Sequence, residues 1–448
     1  MRFPLLIAAL ALSQSALAYD AAPWRADLIQ MRQAIDRDYA NLDWLTGERG
    51  FDLDQAFADT AARLDRVTSD EQARAAFDRL VRRIGDGHVD LRWRSTAAPA
   101  PKPAATDRCA ELGYSATMIN PAIADRLPDY RALAGGGVFP GGVATVAGTR
   151  LGVLRIGLFE PNGYPDLCRA ALAKTPTADG DVVIDASYTR MTADLAARLA
   201  QMRTAGAQAL LVDLSGNGGG SEWAEVAARM VTGRTLRSAR VAVMPSDAWR
   251  ASRLALAKTL RQSASTTPAY RARLLEQAEI TETSARPCVQ ACPRLVANGY
   301  TTGVFDDPPA APKLPTEIDS IGRFGAPRGL WRGPLIVLVD DETWSAAEEF
   351  AASLQDNDAA IVVGTRSGGA GCGHATDRPA TKLTNSGATL SLPDCIRYRR
   401  DGSNEVRGII PDVPMAIRQN DAPTFKARLL EAALPQAIDL TRKQGRAR

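Results

Sequence analysis

The chain has 448 residues, with 54 Lys and Arg against 51 Asp and Glu, so its formal charge of +3 is close to neutral for this length. No dense basic stripe with interleaved aromatics is present, which excludes a nucleic-acid partner. No segment beyond the N-terminus is long and apolar enough to span a bilayer, which argues against stable membrane insertion.

Residues 1–18, MRFPLLIAALALSQSALA, combine one Arg, a short apolar run and a closing Ala16-Leu17-Ala18. This is the pattern of a secretory signal peptide cleaved after Ala18, and it predicts a periplasmic or secreted protein. About 430 mature residues exceed one ordinary domain, and two or three units are expected. Six cysteines in an exported chain suit up to three disulfides. Proximity in sequence pairs Cys288 with Cys292 and Cys372 with Cys395, leaving Cys109 and Cys168. Only two histidines exist, and the Cys288/Cys292 spacing is not a standard zinc pair, so neither metal nor cofactor is expected.

Residues 19–95 read as an N-terminal helical subdomain. Trp24, Leu28, Met31, Ile35 and Tyr39 recur at three- and four-residue steps, as do Phe57, Ala61 and Leu64, then Phe77, Leu80 and Ile84. Ser69 or Asp70 caps the last helix, which leads into Gly85-Asp86-Gly87-His88 and the alternating Val89, Leu91 and Trp93. A Pro-Ala-rich linker and a small Gly-broken β-rich region follow, to residue 148. Residues 149–245 alternate strand and helix: a strand at 151–156, a helix at 191–204, a strand at 209–214 and a helix at 222–230. Residues 246–330 are a helical, then irregular insertion, read as a cap or lid. The alternation resumes over 331–420, with strands at 335–339 and 360–363 and a helix from Ala346. A C-terminal helix and tail occupy 421–448. Strands separated by helices predict an α/β core with largely parallel strands.

Several constellations could carry chemistry. The apolar strand Pro334–Val339 runs through the acidic Asp340-Asp341-Glu342 into Ser345, which opens a helix. That places a hydroxyl off the sheet edge beside free helical N–H groups such as that of Ala346, the pairing a serine nucleophile needs. A helix cap is the plainer role for Ser345. The strand ending at Leu214 enters Ser215-Gly216-Asn217-Gly218-Gly219-Gly220-Ser221. No Gly-Lys-Ser/Thr follows and the dinucleotide fingerprint fails at Ser221, so an oxyanion hole from Gly219 and Gly220 fits better than a phosphate cradle. His88 sits at a loop-to-strand corner. Glu405 precedes a Gly turn and is a candidate for the acid that orients an imidazole. His374 and Gly369, in a Gly-rich loop region, are expected to line the site.

Taken together, the runs Leu210–Gly220 and Val337–Phe350 (with Ser-Ala-Ala-Glu), Val362-Val363-Gly364-Thr365, and Gly408-Ile409-Ile410-Pro411-Asp412 resemble the C-terminal-processing (tail-specific) serine protease family. The resemblance spans most of residues 150–415 and implies a ClpP- or crotonase-like core of ββα units. The better-known branch of that family uses a Ser–Lys pair, but Ala370 occupies the expected Lys position here. Arg366 cannot replace it, because a guanidinium stays protonated. The tricorn-like branch uses Ser with His and a late Glu, and Ser345, His88 and Glu405 match that pattern. Gly87 stands where tricorn has a second Ser. The resemblance therefore implies an exported peptidase acting on a peptide or protein substrate, with a homo-oligomer left open. A non-catalytic binder of a lipophilic ligand or peptide on the same fold, or a hydrolase of non-peptide esters, is the alternative.

Overall fold

A computed structural model describes residues 19–94, 107–288, 292–309, 313–376, 378–418 and 420–446. The expected signal peptide and the expected linker at 96–105 lie outside the described residues. The N-terminal helices are α1 (Ala22–Asp38), α2 (Leu53–Leu64) and α3 (Asp70–Ile84). Asp52 and Ser69 accept from the Gln55 and Gln72 amides and so cap α2 and α3. Gly85 ends α3 at φ 66°, where a side chain would be strained. The apolar faces of the three helices close on Met31, Ile35, Leu45, Phe77 and Leu80. The same cluster takes in Leu383, Leu390 and Leu392 from the distant end of the chain. β1 (Asp90–Arg92) pairs antiparallel with Thr389–Ser391, so the helical region is bonded to the C-terminal part and His88 is carried to the core with it.

Next come α4 (Arg108–Glu111), β2 (Arg131–Ala132), β3 (Gly141–Val146), β4 (Thr149–Arg155) and α5 (Pro165–Lys174). The Cys109–Cys168 disulfide joins α4 to α5. α6 (Gly180–Thr204), β5 (Ala209–Asp213) and α7 (Trp223–Met230) follow, then β6 (Arg240–Val243), α8 (Asp247–Thr266), α9 (Arg271–Ser284) and β7 (Val296–Tyr300). The remainder is β8 (Leu335–Val339), α10 (Ala346–Asp356), β9 (Ile361–Gly364), β10 (Thr381–Lys382), β11 (Thr389–Ser391), β12 (Cys395–Tyr398), β13 (Val413–Pro414) and α11 (Pro423–Arg446).

The central sheet has seven strands in the order β13-β9-β8-β5-β4-β3-β2. Pairing is parallel from β13 to β4 and antiparallel at β3 and β2. Every residue of β5, β8 and β9 is buried, which is why these strands read as unbroken apolar runs rather than as alternation. Helices α6, α7 and α10 cover one face, and α11 covers the other through Leu430 and Leu434. This is the α/β core expected from the sequence.

Helices α8 and α9 pack on each other around Leu260, Leu274 and Phe305. Strands β6 and β7 join β12 in a separate three-stranded antiparallel sheet, β12-β6-β7. The inserted segment is thereby joined, through β7 and then β6, to the strand that carries Arg397. No helix among the described residues is long and apolar enough to cross a membrane.

Candidate active site

β8 ends in a tight acidic turn. Asp340 Oδ1 accepts from Gly216 N–H at 2.8 Å and from Thr343 Oγ1 at 3.1 Å, tying the turn to the neighbouring glycine loop. Ser345 follows with φ 53° and ψ −117°. A non-glycine residue there carries strain of roughly 1–3 kcal/mol and persists only where its surroundings hold it. Both of its peptide groups are held. Trp344 N–H donates to Asn217 O and Ser345 N–H to Glu348 Oε2, each at 2.9 Å. Arg397 donates to Ser345 O at 3.1 Å.

The glycine loop lies directly against this turn. A Cβ on Gly219 would fall 2.9 Å from Ser345 Cβ and 3.1 Å from Ala346 N, and Gly219 has φ 111°. Gly219 N–H is engaged, however, donating to Asn217 Oδ1 at 2.8 Å. Of the three expected oxyanion donors, Gly219 is therefore spent on its own loop. Gly220, at φ 134°, bridges to Phe159 through its neighbours: Phe159 N–H donates to Gly219 O and Ser221 N–H to Phe159 O. This pattern turns the Gly220 N–H away from that pairing. Ala346 sits at the start of α10, where the first amides lack intrahelical acceptors.

His88 reaches the site through packing at Gly87. A Cβ on Gly87 would lie 1.9 Å from the Trp344 ring and 3.2 Å from Ala370 Cβ, so the indole fills the place where the tricorn-like pattern has a serine. Trp344 precedes Ser345 and Gly87 precedes His88, so this contact lays the two chain segments side by side. His88 Nδ1 lies 2.9 Å from Ala370 O. A carbonyl only accepts, so Nδ1 carries the proton and Nε2 is left as the basic nitrogen. Burial lowers the His88 pKa, the Arg397 and His374 charges lower it further, and the Ala370 carbonyl works in the opposite sense. The imidazole is therefore neutral and ready to accept a proton at neutral pH.

Glu405 does not reach His88 by a hydrogen bond. Its Oε1 accepts from Arg397 Nη2 at 2.5 Å and from Nε at 3.0 Å, and its buried Oε2 has no partner. The sequence expectation that Glu405 holds the imidazole is replaced here by the Ala370 carbonyl. Glu405 instead anchors Arg397, which spans the site by also donating to Glu349 Oε2 and Gly371 O, each at 3.0 Å. Burial acts to lower the Arg397 pKa, but the Glu405 carboxylate, the foremost opposing charge, outweighs it and holds the guanidinium charged.

Glu348 supplies the second link. Its carboxylate accepts from Ser345 N–H, from Ser367 Oγ at 2.5 Å, and from the Gly369 and Ala370 amides at 2.8 and 2.9 Å. One buried carboxylate thus ties the Ser345 turn to the loop whose Ala370 carbonyl holds His88. Gly369, expected to line the site, takes part through its backbone, and its φ is 78°. Asp86 accepts His88 N–H at 2.9 Å, Tyr39 Oη at 2.9 Å and Asn41 Nδ2 at 2.8 Å, and burial pushes its pKa up to about 6. The His374 ring lies 6.2 Å from that of His88. It borders a groove of about 550 Å³ walled by Leu390, Leu392 and Pro379 and by the Asp38–Arg378 ion pair. Sequence reasoning missed Glu348, Arg397 and Asp86; only Glu348, the last residue of Ser-Ala-Ala-Glu, carried a readable signal.

A strained serine on a strand-to-helix turn, a glycine loop against it and a neutral, half-buried histidine are the elements that a serine-hydrolase type of site needs. The family model of peptidase family S41 matches residues 179–415, more than half of the chain. The chain belongs to that family of serine peptidases. Mature CPAF is similar in structure, with 16% identity and a TM-score of 0.58 over 94% of this chain and 98% of that one. A mutant form of CPAF gives a TM-score of 0.62 over the same shares. At this identity the likeness is one of fold. A protein of Chlamydia trachomatis serovar D is 33% identical over 96 residues, 21% of this chain and 16% of the relative. An uncharacterized protein of Chlamydia muridarum is 49% identical over 45 residues, 10% of this chain and 8% of the relative. The matches span less than a fifth of the length of these curated relatives.

Proposed function

We propose that the chain is an exported serine peptidase that cleaves a peptide or protein substrate through an acyl-enzyme on Ser345. The observation that carries this reading is the Ser345 backbone, held at φ 53° on the start of α10 against the Gly219–Gly220 turn. Ser345 Oγ attacks the scissile carbonyl while His88 Nε2 takes the hydroxyl proton. The C–N bond then breaks, and the same proton passes to the leaving amine. Water attacks the acyl-enzyme with His88 again as the base. The Gly220 and Ala346 amides receive the oxyanion. Ala370 O orients His88, and Glu405 acts one step removed by fixing Arg397. Three disulfides, Cys109–Cys168, Cys288–Cys292 and Cys372–Cys395, support the export reading, since such bonds persist in oxidising compartments.

Intact-mass analysis after treatment with a fluorophosphonate tests the proposal. One adduct is expected on the wild type, none on Ser345→Ala and little on His88→Ala. A folded wild type that takes no adduct overturns the reading and leaves a ligand binder on a peptidase fold.

A further inference from the structure

Arg253, on α8, is only 8% exposed and has no carboxylate within ion-pair distance among the described residues. Its Nη1 donates to Asn298 O at 3.1 Å and its Nη2 to Thr281 Oγ1 at 3.3 Å, while Nε is buried without a partner. Burial alone pushes the Arg253 pKa down to about 10, so it remains a cation at neutral pH. A buried charge without a counter-charge is costly, and proteins ordinarily pair it. Here Arg253 borders a pocket of about 510 Å³ between α9 and the paired strands β6 and β7, with no Asp or Glu in its walls among the described residues. That volume falls in the range of small-ligand sites, roughly 300–1,000 Å³. The remaining walls include Val241, Leu295 and Val304. The second cation on the pocket, Arg240, lies over the Tyr398 ring at 5.6 Å and is also without an ion-pair partner among the described residues.

We propose that this pocket is a carboxylate site: it takes an organic monocarboxylate with an apolar tail, the carboxylate meeting Arg253 and the tail lying on Val241, Leu295 and Val304. An anion supplies the charge the fold leaves out, and Nη1 and Nη2, each with one hydrogen bond made, keep a second N–H that suits a carboxylate. Two sources share this chemistry, a free aliphatic acid and the C-terminal residue of a peptide. The site is separate from Ser345 and does not depend on the peptidase reading.

Calorimetric titration of the full-length protein separates the sources. The probes are decanoate, decanamide, and an acetylated Leu-Leu-Val peptide with a free or an amidated C-terminus. A carboxylate probe is expected to bind while its neutral amide does not, and Arg253→Met should weaken it by at least about tenfold. Decanoate alone binding identifies a free acid; the free-ended peptide alone identifies a chain terminus. Because the substitution removes an unpaired buried charge, Arg253→Met is expected to keep or raise Tm. Should it fail to fold, Ala297→Trp, which fills the pocket from β7, must abolish binding. Amides binding as tightly as acids, no binding by any probe, or binding that survives both variants overturns the proposal.

Discussion

Ser345 holds a backbone conformation that its own side chain disfavours, so its neighbours must supply the restraint. Glu348 is central, because every group facing its carboxylate is a donor. Glu348→Gln puts an amide N–H₂ among those donors. The expected result is a fluorophosphonate labelling rate lower by roughly ten- to a hundredfold, the scale of one or two charge-assisted hydrogen bonds. Labelling at the wild-type rate would dismiss Glu348 as a positioning residue. Gly219→Ala should be as harmful, since the new Cβ meets Ser345 Cβ at 2.9 Å where φ is 111°; a drop in Tm together with loss of labelling checks it. For His88 the folded pKa lies below the ordinary 6.5 because burial disfavours the cation. The base is lost only when protonated, so the acid limb of the labelling rate should have its midpoint below 6.5, and a midpoint above that value contradicts the burial argument. His88 was legible as one of only two histidines, next to Gly85-Asp86-Gly87, and Ser345 as the serine that opens a helix after an apolar strand and an acidic turn. Arg397 was not, because an Arg in Cys395-Ile396-Arg397-Tyr398 looks like any half-exposed strand residue, and a carbonyl such as that of Ala370 leaves no mark in a sequence.

At the scale of elements, the disulfides differ in what they restrain. Cys372–Cys395 clamps the loop carrying Ala370 and Gly371 to β12, two residues before Arg397, and closes a separation of 23 residues. Cys109–Cys168 closes 59 residues and joins α4 to α5, outside the site. Chain entropy assigns each about 3–4 kcal/mol, so replacing either pair by Ser should lower Tm similarly. Only the Cys372/Cys395 variant should also slow labelling of the molecules that remain folded, because only that loop presents the carbonyl that orients His88. Equal labelling rates for the two variants would show that β12 and the loop keep their geometry without the clamp. The elements themselves were readable where burial is complete: β5 and β8 as unbroken apolar runs, α2 from its periodic face, α3 from its cap and periodic face. The sheet β12-β6-β7 was not, since antiparallel pairing between distant segments leaves no local pattern in either.

At the scale of the whole molecule, the parallel core could be read from strands alternating with helices, but the closure of the site could not. His88 and Ala370 are 282 residues apart, and long-range packing of the N-terminal helices, in part with the β10–β11 region, brings them together. That assembly buries one cation, Arg397, against both Glu405 and Glu349. One guanidinium cannot balance two carboxylates in a poorly solvated interior, and burial pushes the Glu349 pKa up to about 8. The folded state therefore holds a proton on Glu349 that the unfolded chain releases near its ordinary value of 4.5. With more protons bound when folded, stability falls as pH rises. The contribution is complete below about pH 4.5 and lost as pH passes through about 8. Urea unfolding at pH 5 and at pH 9 should show wild-type stability lower at the higher pH by an amount of the order of 2–4 kcal/mol. Glu349→Gln keeps an acceptor for Arg397 and cannot ionise, so its stability should change much less between the two pH values. An identical decline in the variant would mean that Glu349 is already ionised in the folded protein and that Arg397 neutralises both carboxylates.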